Sequence, residues 1–141
     1  MRLIVYGTLR KGEALAYIMP TNRKCEVLEL CGLQLYVVGD CPGAKLSSKK
    51  DKVIVELCEF DLTRKSERRL LHSLDIMEGV DLGLYERSYI DTPKGKALVY
   101  TICGSIKGYP EIKDWKEWQN SNKNKKINIS NSKIVIHKEY V

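Results

Sequence analysis

Apolar residues begin almost at once: Leu3-Ile4-Val5-Tyr6 carries no charge and stops at Gly7-Thr8. The β-branched and aliphatic make-up of this short run predicts a buried strand over residues 2–6. Gly12 to Ala16 then suggest a short helix closed before Pro20. From Cys25 to Val38 apolar positions recur at Val27, Leu28, Leu30, Leu33, Leu35, Tyr36 and Val37, with Gly32 among them. That pattern predicts one long bent strand or two strands. Gly39-Asp40-Cys41-Pro42-Gly43 reads as a turn cluster. Lys52 to Phe60 alternates Val53, Val55 and Leu57 against Ile54, Glu56 and Cys58, as a largely buried strand would.

The period then changes. Asp61 or Thr63 can cap a helix with Glu67 in its early turns. Leu70, Leu71 and Leu74 fall on one face, Arg64, Lys65, Arg68 and Arg69 mostly on the other, and Gly79 should end the element. Ser88–Asp91 and Lys96–Ile102 read as strands around a Thr92-Pro93-Lys94-Gly95 turn. After Gly108-Tyr109-Pro110, the spacing of Ile112, Trp115 and Trp118 predicts a short amphipathic helix. Ser121 to Lys126 is polar and reads as a mobile link, and Lys133 to His137 alternates like a last strand. Strands dominate without regular β-α-β alternation, which favours an α+β mixed sheet or small barrel. We expect a domain over residues 1–110 and a C-terminal extension over 111–141.

Composition narrows the function classes. The 141 residues, 43% hydrophobic and 30% charged, are ordinary for a globular domain. No apolar run is long enough to span a membrane and no signal-peptide pattern opens the chain, so a cytoplasmic protein is the expectation. The formal charge of +6 is spread over scattered Lys and Arg, with acids between them and most of the aromatics elsewhere. This describes a solvated, mildly cationic surface and argues against a nucleic-acid face. The 5 cysteines (Cys25, Cys31, Cys41, Cys58 and Cys103) include no Cys-x-x-Cys pair, and with only 2 histidines they do not outline a zinc site. Buried, reduced thiols are the simplest reading.

Two stretches carry candidate chemistry. Gly7, directly after the first strand, can take backbone angles closed to other residues and leaves its N–H uncovered. Such loops gather main-chain donors around a carboxylate or phosphate. Their bland alternative is an ordinary turn. In the second stretch, Leu74-Asp75-Ile76-Met77-Glu78-Gly79, an acid stands at the end of a helix, where the macrodipole slightly disfavours a carboxylate. Glu78 is therefore either a solvated end residue or an acid placed for chemistry.

Val5-Tyr6-Gly7-Thr8-Leu9-Arg10-Lys11-Gly12 resembles the Y-G-T/S-L signature of the γ-glutamylcyclotransferase-like family, which includes AIG2-like proteins and γ-glutamylamine cyclotransferases. Leu74-Asp75-Ile76-Met77-Glu78-Gly79 with Tyr85-Glu86-Arg87 resembles its L-D-x-x-E-G…Y-x-R segment. Gly32 to Tyr36, Gly39 to Gly43, Val53 to Leu57 and Ala97 to Tyr100 match further stretches in order, so the resemblance spans about residues 2–105. It implies a small mixed β-barrel flanked by helices, with a pocket at one mouth. It also implies an intramolecular acyl transfer that releases 5-oxoproline and a free amine, with no cofactor and no metal.

By that resemblance Glu78 is the catalytic general acid/base, and the amides of Gly7, Thr8 and Leu9 hold the substrate carboxylate. Tyr6 and Tyr85 line the pocket, either with hydroxyls toward the substrate or as core tyrosines with satisfied hydroxyls. Arg87 is expected to pair with a neighbouring acid. The chain departs from the pattern at Val55, at Cys41 (where relatives have Tyr before the proline) and over Glu13 to Ala16, which leaves the leaving group open. Two function classes remain at this point: a cyclotransferase, or a non-catalytic pocket protein that binds an amino-acid-like or other anionic small molecule.

Overall fold

The computed structural model describes residues 1–48 and 50–128. β1 (Arg2–Val5) pairs antiparallel with β5 (Val53–Glu59) and parallel with β7 (Gly95–Ile102). β2 (Lys24–Leu30) lies outside β5, and β6 (Tyr85–Thr92) forms a hairpin with β7, giving a five-stranded sheet ordered β2-β5-β1-β7-β6. β1 is central and buried on both faces, which explains its unbroken apolar run. Leu3 and Val5 enter one core cluster with Leu74, Leu98 and Tyr100, while Ile4 and Tyr6 enter a second with Leu33, Leu35, Val55 and Val99.

A second sheet has the order β4-β3-β8, from β3 (Leu33–Val38), β4 (Cys41–Leu46) and β8 (Glu111–Ile112). The apolar stretch from Cys25 to Val38 is thus two strands in different sheets. They are separated at Gly32, whose φ of 93° turns the chain. The fold class is α+β, as the pattern implied, but the two sheets do not close into a barrel: among the described residues, β2 and β6 remain the edges of the larger sheet. Only Gly39-Asp40 is a turn. Cys41-Pro42-Gly43 already belongs to β4, where an edge position tolerates the missing proline N–H.

α1 (Arg64–Met77) packs Leu74 fully, and Leu70, Leu71 and Met77 partly, against the first core cluster. The expected helix over Gly12–Ala16 is a run of turns that ends in a single 3-10 turn at Ala16–Ile18. α2 (Trp115–Asn128) continues through the polar stretch 121–126. The strand expected over Lys133–His137 lies outside the described residues. The cysteine expectation fails at one pair: Cys25 and Cys58 face each other across β2 and β5 and are joined as a disulfide. Cys31, Cys41 and Cys103 are outside this disulfide, and only Cys41 of these is buried. Among the described residues no helix is long and apolar enough to cross a membrane.

β8 pairs with β3 through Leu35↔Ile112 and Tyr36↔Glu111, and this brings Trp115 to 0% exposure. The Trp115 ring stacks on Trp118 at 5.0 Å between centroids. Trp115→Ala is therefore expected to destabilise the protein by about 3–5 kcal/mol, read as a lowered urea midpoint. The half-buried Trp118→Ala should lose clearly less, and equal, small losses at both positions would contradict this packing.

Candidate functional site

Local sequence puts Glu78 where it is. Thr63 begins α1 as its N-cap, accepting a hydrogen bond from the Ser66 N–H at 3.2 Å. The helix ends when the Glu78 N–H donates to the Leu74 carbonyl at 2.8 Å. Gly79 then takes a left-handed φ of 63°, and any Cβ there would lie 2.7 Å from Leu84 Cδ1. Glycine is demanded at this stop by both conformation and space. The chain reverses, the Leu84 N–H returning to the Gly79 carbonyl at 3.1 Å. The Glu78 side chain is left inside the protein, 6% exposed, and its Oε2 has no hydrogen-bond partner.

The loop after β1 is built differently from the sequence expectation. Gly7 does not have a left-handed φ; it is glycine because a Cβ would overlap the ring of Pro42. The Arg10 N–H closes the turn onto the Gly7 carbonyl at 2.9 Å, and the Leu15 N–H donates to the Thr8 carbonyl at 2.9 Å. Arg10 itself is buried and clamps the loop from below. Its Nε donates to Glu56 at 2.8 Å and its Nη1 to Asp114 at 2.7 Å, while Glu56 also accepts from the Lys11 N–H at 3.1 Å. Arg23 donates to the Leu9 carbonyl at 2.9 Å. Among the described residues nothing accepts from the N–H groups of Gly7, Thr8 and Leu9, and the buried Thr8 Oγ1 is likewise unpartnered.

The two segments meet. Tyr6, Gly7, Thr8, Leu9, Pro42, Glu78 and Tyr100 line one small cavity at the end of β1. Three free backbone donors and a free hydroxyl thus share a cavity with a free carboxyl oxygen. Tyr85 lines instead a second pocket of about 400 Å³, whose wall includes Cys41, the chain neighbour of the Pro42 that lines the first. The tyrosine hydroxyls are both engaged: Tyr6 donates to the Tyr100 carbonyl at 2.8 Å and Tyr85 to the Pro42 carbonyl at 3.0 Å.

Burial sets the electrostatics. Desolvation pushes the Glu78 carboxyl up to about 8 from an ordinary 4.5, with no hydrogen bond to hold it down. Both Tyr6 and Tyr85 are raised above their usual value, first by burial and then by the nearby Glu78 charge. Arg87 pairs as expected. It holds Asp75 with both carboxylate oxygens, at 2.9 and 2.6 Å, and Tyr100 donates to the same carboxylate at 2.6 Å. This lowers Asp75 and leaves Glu78, among the described residues, as the acid of α1's C-terminal end whose buried Oε2 has no hydrogen-bond partner.

Sequence reasoning missed the clamp of Arg10, Glu56 and Asp114. One signal was available, a carboxylate on the buried Val53–Glu59 strand, but Asp114 lies 104 residues from Arg10 and nothing local joins them. Cys25, Glu56 and Cys58 bring ligand-type atoms within 4.8 Å of one another. The thiols are joined as a disulfide and the carboxylate is held by Arg10, so this cluster is already committed.

A family model described as gamma-glutamyl cyclotransferase, AIG2-like, matches residues 3–120. Among solved structures, protein PH0828 from Pyrococcus horikoshii is 28% identical with a TM-score of 0.66, over 88% of this chain and 97% of its own. Protein ytfP from Escherichia coli is 29% identical with a TM-score of 0.58, over 81% and 93% respectively. YkqA from Bacillus subtilis, 24% identical with a TM-score of 0.59, shares the fold over 87% of this chain and 42% of its own. No curated protein matches the chain.

The raised Glu78 carboxyl makes a signed prediction. The unfolded carboxyl ionises near 4.5 and the folded one near 8, so folded stability is lost as pH rises across that window. Glu78→Gln should remove this loss: relative to wild type, the variant gains thermal stability at pH 9 compared with pH 5. Parallel pH profiles for the two proteins would contradict the buried, unpartnered carboxyl.

Proposed function

The chain belongs to the γ-glutamyl cyclotransferase, AIG2-like family, and from that premise we propose that it is a cyclotransferase acting on a γ-glutamyl peptide or γ-glutamylamine. The observation that carries the reading is the shared cavity. Glu78, whose buried Oε2 is unpartnered among the described residues, lines the same cavity as Gly7, Leu9 and Thr8, whose hydroxyl is likewise unpartnered.

In this reading the loop amides bind the glutamyl α-carboxylate, and the chain bends so that the α-nitrogen lies near its own γ-carbonyl. Glu78 removes a proton from the α-ammonium, and the freed amine attacks the γ-carbon. One C–N bond forms, the tetrahedral oxyanion collapses, and the original amide C–N bond breaks. Glu78 returns its proton to the departing nitrogen, and the second proton of the ring nitrogen follows through the same carboxylate to the released amine, giving 5-oxoproline and a free amine in its ammonium form. No water is consumed. Nucleophile and electrophile belong to one molecule, so holding the bent conformer supplies much of the acceleration.

A carboxyl near 8 suits the role better than one at 4.5, because a base close to the working pH can both take and return a proton. The Tyr6 and Tyr85 protons are committed to backbone carbonyls, so these rings serve as walls that fix the substrate. With the loop amides on the α-carboxylate, donation to the oxyanion falls to the Thr8 hydroxyl. Arg87 acts from outside the cavity by holding Asp75 and, through it, Tyr100.

Incubation with a panel of γ-glutamyl dipeptides and γ-glutamylamines, with 5-oxoproline read by mass spectrometry, tests the proposal. Glu78→Gln should lower kcat/KM by roughly 10²–10⁴. Wild-type kcat/KM should fall tenfold per pH unit below about 8, as the base becomes protonated. Turnover unaffected by Glu78→Gln would remove Glu78 from the mechanism. No turnover across the panel, with ligand-induced thermal stabilisation, would make the site a binding pocket.

A further inference from the structure

Resting on the cyclotransferase reading, the second pocket specifies the part of the substrate that the first leaves undefined. The small cavity is lined by the elements that would hold a glutamyl group. The second pocket, of about 400 Å³, has Cys41 and Tyr85 in its wall, and the Tyr85 hydroxyl donates at 3.0 Å to the carbonyl of Pro42, which lines the small cavity. Leu84, which seals Gly79 directly after Glu78, is part of its wall. A leaving group attached to the γ-carbonyl has to exit the small cavity, and Tyr85, in the wall of this pocket, lies close enough to Glu78 to feel its charge.

Its wall is chemically one-sided. Cys41, Leu84, Tyr85, Ile102, Cys103 and Tyr109 are among its lining residues, and no lysine or arginine of the described residues lines it. The Lys45 ammonium is not part of the wall and donates to the carbonyls of Ile102 and Gly104 at 2.7 and 2.9 Å. Its one carboxylate, Asp40, already interacts within the chain. A peptide's terminal carboxylate would lose hydration here without gaining a counterion. A distal ammonium would have Asp40 alone as counterion, in a wall whose other side chains are uncharged. An uncharged apolar group loses nothing polar and buries its surface against Leu84, Ile102 and the tyrosine rings. Cys41 is the residue at which the sequence departs from the family pattern by a much smaller side chain, and it stands in this wall.

We propose that the pocket between Cys41, Leu84, Ile102 and Tyr109 receives the amine half of the substrate. The preferred substrates are γ-glutamyl derivatives of uncharged apolar amines, aromatic or branched aliphatic. Their size is within what a pocket of this volume accommodates.

Three substrates that share the γ-glutamyl group isolate the amine half: γ-L-glutamylbenzylamine, γ-L-glutamylglycine and Nε-(γ-L-glutamyl)-lysine. The proposal expects kcat/KM for the benzylamine derivative at least tenfold above each of the others. Tyr109, 38% exposed, can be replaced without opening the core. Tyr109→Arg should cut the benzylamine preference over the glycine derivative at least tenfold. Equal or better turnover of the glycine or lysine derivative by wild type overturns the proposal. If none of the three yields 5-oxoproline, the cyclotransferase reading fails, and thermal shifts then judge the pocket separately. Stronger stabilisation by the benzylamine than by the glycine derivative supports an apolar amine pocket, and equal or absent stabilisation overturns it.

Discussion

The burial of one carboxyl group, Glu78, beside a loop of unsatisfied backbone amides is the interaction around which the rest of this fold is arranged. A buried polar atom without a partner costs about 1–3 kcal/mol, and Thr8 Oγ1 and Glu78 Oε2 both stand in that position within one cavity. Such a cost persists only where the surroundings hold the geometry firmly. Here that holding comes from the packing of Leu3, Val5 and Leu74 into one core cluster, joining the strand that ends at the loop to the helix that ends at the acid. The C-terminus of α1 and the C-terminus of β1 are thereby fixed relative to each other.

A second set of interactions fixes the loop itself. Arg10, Glu56 and Asp114 come from the first loop, the neighbouring strand and the segment leading into α2, and they converge in a nearly dry ion-pair cluster. Buried ion pairs contribute little net stability, since desolvation offsets most of the attraction. Their geometric demands are strict, however, and this one ties the backbone at Arg10 and Lys11 to two distant parts of the chain. Pro42 presses on Gly7 from the other sheet. The loop amides are thus free of partners and yet not free to move, which is what recognition of a fixed anion requires.

Much of this was legible in the residues, and the parts that were not share a cause. The helix from Thr63 to Gly79 was readable because its cap, apolar face and stop are all local. The Arg87 pairing was readable because an exposed arginine beside acids seeks one. The role of Gly7 was misassigned: a glycine's need for space is set by whatever packs on it, here a proline 35 positions away. The same applies to the Cys25–Cys58 disulfide, which depends on strand register rather than spacing, and to the Asp114 contact with Arg10. Barrel closure failed as an expectation because periodicity reports which face of a strand is buried but not which edge finds a neighbour. The unpartnered state of Glu78 could not be read from the chain at all, because it depends on which side chains the fold brings within reach of its buried oxygen.

The central claim is that Glu78 is a buried carboxyl poised near neutral pH, and site-specific titration tests it most directly. ¹³C-labelled glutamate side chains followed by NMR from pH 3 to 10, with Glu78→Gln to assign the resonance, would give its ionisation midpoint. The account predicts a midpoint near 8. A midpoint near 4.5, the value of an ordinary solvated glutamate, would contradict it.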